Sequence, residues 1–279
     1  MIRMAILYMV ATPIGNLEDI TLRAVRTLGE VHTVACEDTR HTLKLLNHLG
    51  LKKPLVACYA YDEERGSARV VALLDEGKDV AYCSDAGTPG VSDPGVMLVA
   101  MAREAGHRVV PIPGPSALTA LASAAGVYCK AFTFDGFPSP KPGRRRSRVA
   151  ELMAREEAFV MYESPHRVAR LLADVASVDP ARRVCVGREL TKLHEDIRAG
   201  SAEELSQSYA AAGEVKGELA VLVAGLSKKE ARELARADEA AGEGRDEPAE
   251  GDQASGDGTE SEAGARQRAG RAGKKRPRR

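Results

Sequence analysis

Between Met4 and about Ser123 the chain repeats one rhythm five times, a short apolar run followed by an amphipathic stretch, and few folds can accommodate that rhythm. Apolar runs without polar alternation belong to strands covered on both faces, and strands separated by helix-length segments pair in parallel. The pattern predicts strands over residues 6–12, 31–37, 55–59, 80–84 and 109–112. Helices are expected over 21–28, 39–49, 63–76 and 95–105, with another following Pro115. Five strands each followed by a helix make a doubly wound, mostly parallel α/β sheet, whose ligands bind outside the carboxyl ends of the strands.

After Gly126 the rhythm changes. Residues 132–137 read as a short aromatic strand, and PSPKPGRRRSR over 138–148 reads as a Pro- and Arg-rich loop. Further strands over 158–162, 184–188 and 218–223, and helices over 148–155, 165–176 and 202–211, predict a second α/β domain with a mixed sheet. The expected limits are 1–125 for the amino-terminal domain, 126–227 for the second, and 228–279 for a tail. Residues 238–262 hold ten acids against one Arg, and residues 265–279 hold eight Lys or Arg and no acid. Such a segment cannot bury enough apolar surface to offset its chain entropy, so it reads as disordered, either a solvated tail or a weak tether for RNA.

A hydrophobic share of 44% supplies two packed cores, while an aromatic share of 4% with no Trp leaves few surfaces for base stacking. The 40 acidic and 40 basic side chains cancel, so any nucleic-acid signal must be local. Cys36, Cys58, Cys83, Cys129 and Cys185 form no CxxC pair and mostly lie in apolar runs, as small buried hydrophobes of a reducing compartment do. The six histidines show no ligand spacing, so no metal is expected. The opening MIRMAILYMVATPIGNL is too short an apolar run to span a bilayer and reads as a first buried strand, with Met1 or Met4 as the start.

Three loops combine glycine with proline at predicted strand ends: TPIGNL from Thr12, SDAGTPGVSDPG from Ser84 and PIPGPSA from Pro111. Each could simply shape a tight crossover. Together on one rim they outline a pocket for a small polar ligand, and none is GxGxxG or a Walker loop, which disfavours a pyrophosphate.

The blocks TPIGNLEDITLRA, CEDTR, SDAGTPGVSDPG, PGPSA, FDGFPSPK, ESPHR, GRELTK and KGE, in this order, resemble those of the small-subunit ribosomal RNA methyltransferases that modify a decoding-centre cytidine, within the tetrapyrrole methylase superfamily of class III methyltransferases. The resemblance spans about residues 7–225. It implies two α/β domains holding S-adenosylmethionine in the cleft between them, a homodimer, a cytoplasmic location without a membrane, and 16S rRNA or the small ribosomal subunit as partner. Carried over by block, the cofactor-lining residues are Pro13, Gly15, Asp85, Ala86, Gly87, Thr88 and Pro113. CEDTR and RELTK, without counterpart in corrin-type enzymes, become the RNA-side blocks. Cys36 stands where that family usually has Ala, and His32 where Asp is common; both are strand positions.

A ribose hydroxyl is a poor nucleophile at neutral pH, so the implied reaction needs a general base or a cation that favours the alkoxide. Candidates are Glu37 and Asp38 after the second strand, and Glu189 with Lys192 in RELTK. Each also reads as part of a helix-end ion pair, Glu37 with Arg40 or Glu189 with Lys192. RNA contact is expected from Arg40, from Lys141, Arg144, Arg145, Arg146 and Arg148 on the basic loop, and from His166 and Arg167 of ESPHR. Rival readings are a small-molecule tetrapyrrole methylase, a dinucleotide-dependent oxidoreductase lacking its glycine fingerprint, and a non-catalytic RNA-binding protein.

Overall fold

The computed structural model describes residues 4–127, 130–213, 215–227 and 232. Cys129 and the charged tail lie outside the described residues. The chain runs β1 (Ile6–Val10), α1 (Leu22–Glu30), β2 (Thr33–Cys36), α2 (Thr39–His48), β3 (Leu55–Ala57), α3 (Glu63–Asp75), β4 (Val80–Cys83), α4 (Val96–Glu104), β5 (Arg108–Ile112) and α5 (Ala117–Ala124). It continues through β6 (Phe132–Gly136), α6 (Pro142–Met153), β7 (Ala158–Glu163), α7 (Val168–Val178), β8 (Arg183–Arg188), β9 (Asp196–Ser201), α8 (Ala202–Ala211) and β10 (Leu219–Val223).

The first sheet has the order β3-β2-β4-β1-β5 and every pairing in it is parallel. Alternate residues of β4 divide its two faces: Val80 and Tyr82 pack with Val70 and Leu74 of α3 and Leu98 of α4, while Ala81 and Cys83 pack with Ala24 and Leu28 of α1 and Leu46 of α2. Helices on both faces explain why β2 and β4 are buried at every position and read as unbroken apolar runs. Two of the helices against this sheet are closed by sequence-encoded caps. Thr21 Oγ1 accepts from the Ala24 amide at 3.1 Å, and Asp38 Oδ1 accepts from the Arg40 amide at 2.8 Å.

The second sheet, β6-β7-β10-β8-β9, is mixed: β6 runs parallel to β7, and the other pairs are antiparallel. One face packs under α6, α7 and α8 through Leu152, Leu171, Val175 and Leu205. The opposite face is covered by α5, whose Leu121 joins Val160, Cys185 and Leu222. Thus the helix that follows the last strand of the first sheet packs upon the second, and the two sheets share a seam.

Three features depart from expectation. The basic segment is helical from Pro142, not a loop to Arg148, because proline suits a helix's first turn, where an amide has no partner anyway. Within α6, Arg145, Val149 and Leu152 recur at helical spacing on one buried face. β9 was missed because DIRAGS is a charged edge strand with a single neighbour and little buried apolar surface to betray it. β1 ends two residues early, since Thr12 turns to pair with Gly87. Among the described residues no helix is long and apolar enough to cross a membrane.

Candidate active site

Strand register assembles the first wall of the site. Val10 is level with both Cys83 and Ile112, so all three Gly/Pro loops leave the sheet at one rim. β1 feeds α1 and β2 on one side, and β4 feeds α4 and β5 on the other, so a crevice opens between β1 and β4. There Thr12 donates to the Gly87 carbonyl at 2.9 Å and Gly87 donates to the Thr12 carbonyl at 3.0 Å. Gly87 sits at φ 78°, where a side chain is strained, and a Cβ would come 3.3 Å from Ile14 Cγ2. Thr88 Oγ1 donates to the Pro115 carbonyl at 3.2 Å and so ties in the third loop.

Between this rim and the second sheet lies a cavity of about 400 Å³, within the range of small-molecule sites. Its first wall includes Ala86, Gly87, Thr88, Ser92 and Asp93, and its second Tyr162, Glu163, Gly187, Leu190, Leu219 and Ala220. Of the seven residues expected to line a cofactor, Ala86, Gly87 and Thr88 do line this cavity. Pro13 and Asp85 line a neighbouring pocket of about 30 Å³ beside His41. Asp85 Oδ1 there accepts from the Asp38 amide at 3.0 Å, fastening the exit of β2 to the loop after β4. Gly15 faces RELTK instead, since a Cβ would lie 2.3 Å from Lys192 Cγ. Pro113 is absent from the lining. The second wall escaped sequence reasoning, although ESPHR, GRELTK and KGE each carry part of it.

The second wall is fastened by side chains. Glu189 Oε1 accepts from Lys192 Nζ at 2.9 Å and from the Glu218 amide at 2.9 Å, and Lys192 also reaches Glu218 Oε2 at 2.9 Å. Lys192, by its hydrogen bond, and the Glu218 amide hold the Glu189 carboxyl below the usual range. The backbone bends sharply to allow this: Glu189 and Thr191 have φ of 51° and 67°, and Ser92 on the opposite wall has 63°. These are the only non-glycine residues with positive φ among those described, and they flank the cleft. Gly217, at φ 96°, could not carry a Cβ, which would fall 2.4 Å from Glu189 Cγ.

The four expected catalytic groups fare differently. Asp38 caps α2 and is clamped by Arg40, whose hydrogen bonds lower its pKa to about 2. Arg40 therefore pairs with Asp38, not Glu37. Glu189 and Lys192 hold each other. Of the three carboxyl groups, only Glu37 is pushed upward, by burial and then by the charges of Asp85 and Asp93, but it does not line the cavity. Asp93 was not anticipated. It lines the cavity and its pKa is raised to about 6, chiefly by burial with Asp85 adding, against a hydrogen bond from Ser84. Its charge is also felt by Glu37, Tyr82 and Tyr162.

Among the cations, Arg144 and Arg146 are exposed on the first turns of α6, Lys141 is exposed at its N-cap, and Arg40 is exposed on the first turn of α2. Arg145 is a correction: it is 4% exposed and its Nε lies 2.6 Å from Asp174, so it belongs to the core face of α6. Arg148 is held by Asp135 at 2.5 Å and Glu151 at 2.6 Å. His166 is exposed, whereas Arg167 turns inward to Glu163. Glu163 Oε1 accepts from the Ser164 amide at 2.7 Å and from Arg167 Nε at 2.7 Å, with Nη2 at 2.6 Å.

Residues 6–206 match the family model described as Tetrapyrrole (Corrin/Porphyrin) Methylases. The ribosomal RNA small subunit methyltransferase I of Pseudomonas aeruginosa is 45% identical over 229 residues, 81% of each chain. That of Mesorhizobium japonicum is 46% identical over 218 residues, covering 78% of this chain and 74% of the relative. Among solved structures, a cobalt precorrin-4 methyltransferase of cobalamin biosynthesis superposes with a TM-score of 0.60 at 15% identity, over 78% of this chain and 94% of its own, a likeness of fold. With its two sheets, its cleft and these relatives, the chain belongs to the tetrapyrrole methylase family, among the ribosomal RNA small subunit methyltransferase I proteins.

Proposed function

We propose that this chain transfers a methyl group from S-adenosylmethionine to the ribose 2′-hydroxyl of the decoding-centre cytidine, cytidine 1402, of 16S rRNA, acting as a cytoplasmic homodimer on RNA or on the small subunit. The observation that carries this reading is identity of 41–46% over about four-fifths of the chain to proteins named for small-subunit rRNA methylation.

The cavity suits the cofactor. Gly87 admits close backbone approach on one wall, while Gly187, Leu190, Leu219 and Ala220 offer the other as an apolar slot for a flat heterocycle. When bound, S-adenosylmethionine supplies an already activated sulfonium methyl. The chain's own residues then have to hold the attacking hydroxyl in line and take up its proton. Asp93 is suited to the second task, because a carboxylate whose pKa has been lifted to about 6 is a stronger base than a solvated one and is still ionised at neutral pH. Glu189 and Lys192 keep the second wall in place across Gly15. Lys141, Arg144 and Arg146, with Arg40, hold RNA phosphates.

The test is to incubate the protein and labelled S-adenosylmethionine with small subunits from a strain lacking the corresponding gene, and separately with uroporphyrinogen. Label at the 2′-oxygen of cytidine 1402 is expected. Label on the tetrapyrrole alone would replace this reading with that of a small-molecule methylase.

A further inference from the structure

One buried atom in the cleft is left without a partner. Glu163 closes β7, its side chain is 0% exposed, and it lines the cavity. Its two oxygens are unequal: Oε1 accepts from one backbone amide and from the Arg167 guanidinium, while Oε2 is buried with no hydrogen-bond partner among the described residues. A buried carboxylate oxygen left unpaired forfeits its hydration, and folded proteins rarely tolerate it without a compensating role. Arg167 and the Ser164 amide fix the carboxylate by its other oxygen, so Oε2 is an acceptor already held in place at a cavity wall.

We propose that Glu163 Oε2 accepts a hydrogen bond from the adenosine half of S-adenosylmethionine, from its amino group or a ribose hydroxyl. The inference rests on the cofactor reading above and locates one end of that molecule. Register argues for this half. Glu163 pairs with Leu219 on β10, and Ala220 pairs with Gly187 on β8, so the acceptor borders the apolar slot that a purine fills. The amino-acid half carries a carboxylate that Glu163 would repel. Backbone amides of the loop after β4, on the opposite wall, suit that group better.

The experiment is calorimetric and uses the full chain, with S-adenosylhomocysteine and with 5′-methylthioadenosine, which keeps the adenosine and lacks the amino acid. Glu163→Gln is expected to weaken both ligands by about the same factor, roughly 10- to 100-fold, as for a lost charge-assisted hydrogen bond. The heat-unfolding midpoint of the ligand-free protein should hardly move. Undiminished affinity for both ligands overturns the proposal. A loss confined to S-adenosylhomocysteine also overturns it, because the contact then lies with the amino-acid half. Should Glu163→Gln fail to fold, Glu163→Asp keeps a charge for Arg167 and withdraws the oxygen by one methylene, with the same expected pattern. If the unaltered protein binds neither ligand, the cofactor reading itself fails. If it binds S-adenosylhomocysteine but not methylthioadenosine, only the present inference does.

Discussion

The two walls of the cleft are built by different means. The amino-terminal wall is a backbone construction: Thr12 and Gly87 exchange amide hydrogen bonds, Thr88 reaches the Pro115 carbonyl, and glycine and proline set the turns. The facing wall is a side-chain construction, in which Glu189, Lys192 and Glu218 interlock and Glu163 grips Arg167. The first kind presents fixed amides and carbonyls and tolerates few substitutions. The second depends on interlocking charges that mutation can reach, while the first carries one pH-sensitive group, the Asp93 carboxyl, so the walls should respond differently when perturbed.

The sharpest separation concerns Asp93. Asp93→Asn should lower turnover by ~10²–10⁴-fold while leaving S-adenosylhomocysteine affinity nearly unchanged, as single-turnover rates and calorimetry would record. In the unaltered enzyme the single-turnover rate should fall as pH drops through about 6, where Asp93 takes up a proton. A flat profile from pH 5 to 8 would remove Asp93 from the chemistry and return attention to Glu37. The second largest effect is one of stability: Arg145→Ala leaves the largely buried Asp174 carboxylate without its partner and should cost ~3–5 kcal/mol in urea unfolding, without altering the salt dependence of RNA binding. Gly217→Ala, which meets Glu189 at a positive φ, should cost ~1–3 kcal/mol; a change below 0.5 would show that the second wall yields more easily than the contacts suggest.

A smaller effect follows from linkage. The Asp93 carboxyl titrates higher in the folded chain than in the unfolded one, so the folded state holds the extra proton between about pH 4 and pH 6. The group's stabilising contribution is present at the acid end and lost as pH rises through about 6. Asp93→Asn should accordingly raise stability at pH 8 by ~1–2 kcal/mol, and a lower midpoint there would contradict the sign. Smallest per residue, Arg144→Ala with Arg146→Ala should raise the RNA Michaelis constant several-fold and reduce the salt slope by about 2. An unaltered slope would move the RNA to another face.

Periodicity and loop composition already located the first sheet and its rim. Runs such as Val80 to Cys83 are buried on both faces, which leaves a signal local enough to read. The second wall was harder, because its residues come from the ends of β7, β8 and β10, far apart in sequence and joined only by antiparallel register. Asp93 was passed over as part of a turn, since nothing local signals that a carboxylate there will be half-buried beside Asp85. Arg145 misled in the opposite direction. A run of arginines reads as one patch, and only helical phase separates the member facing the core from the two facing water.

The placement of α5 bears on how the molecule can be taken apart. This helix is encoded directly after β5, yet its Leu121 fills the face of the other sheet beside Val160 and Leu222. A truncated polypeptide starting after it would expose that face to solvent and should clump rather than remain in solution. Melting ought therefore to occur in one cooperative step for both lobes, and a bound nucleoside in the seam would raise that single midpoint.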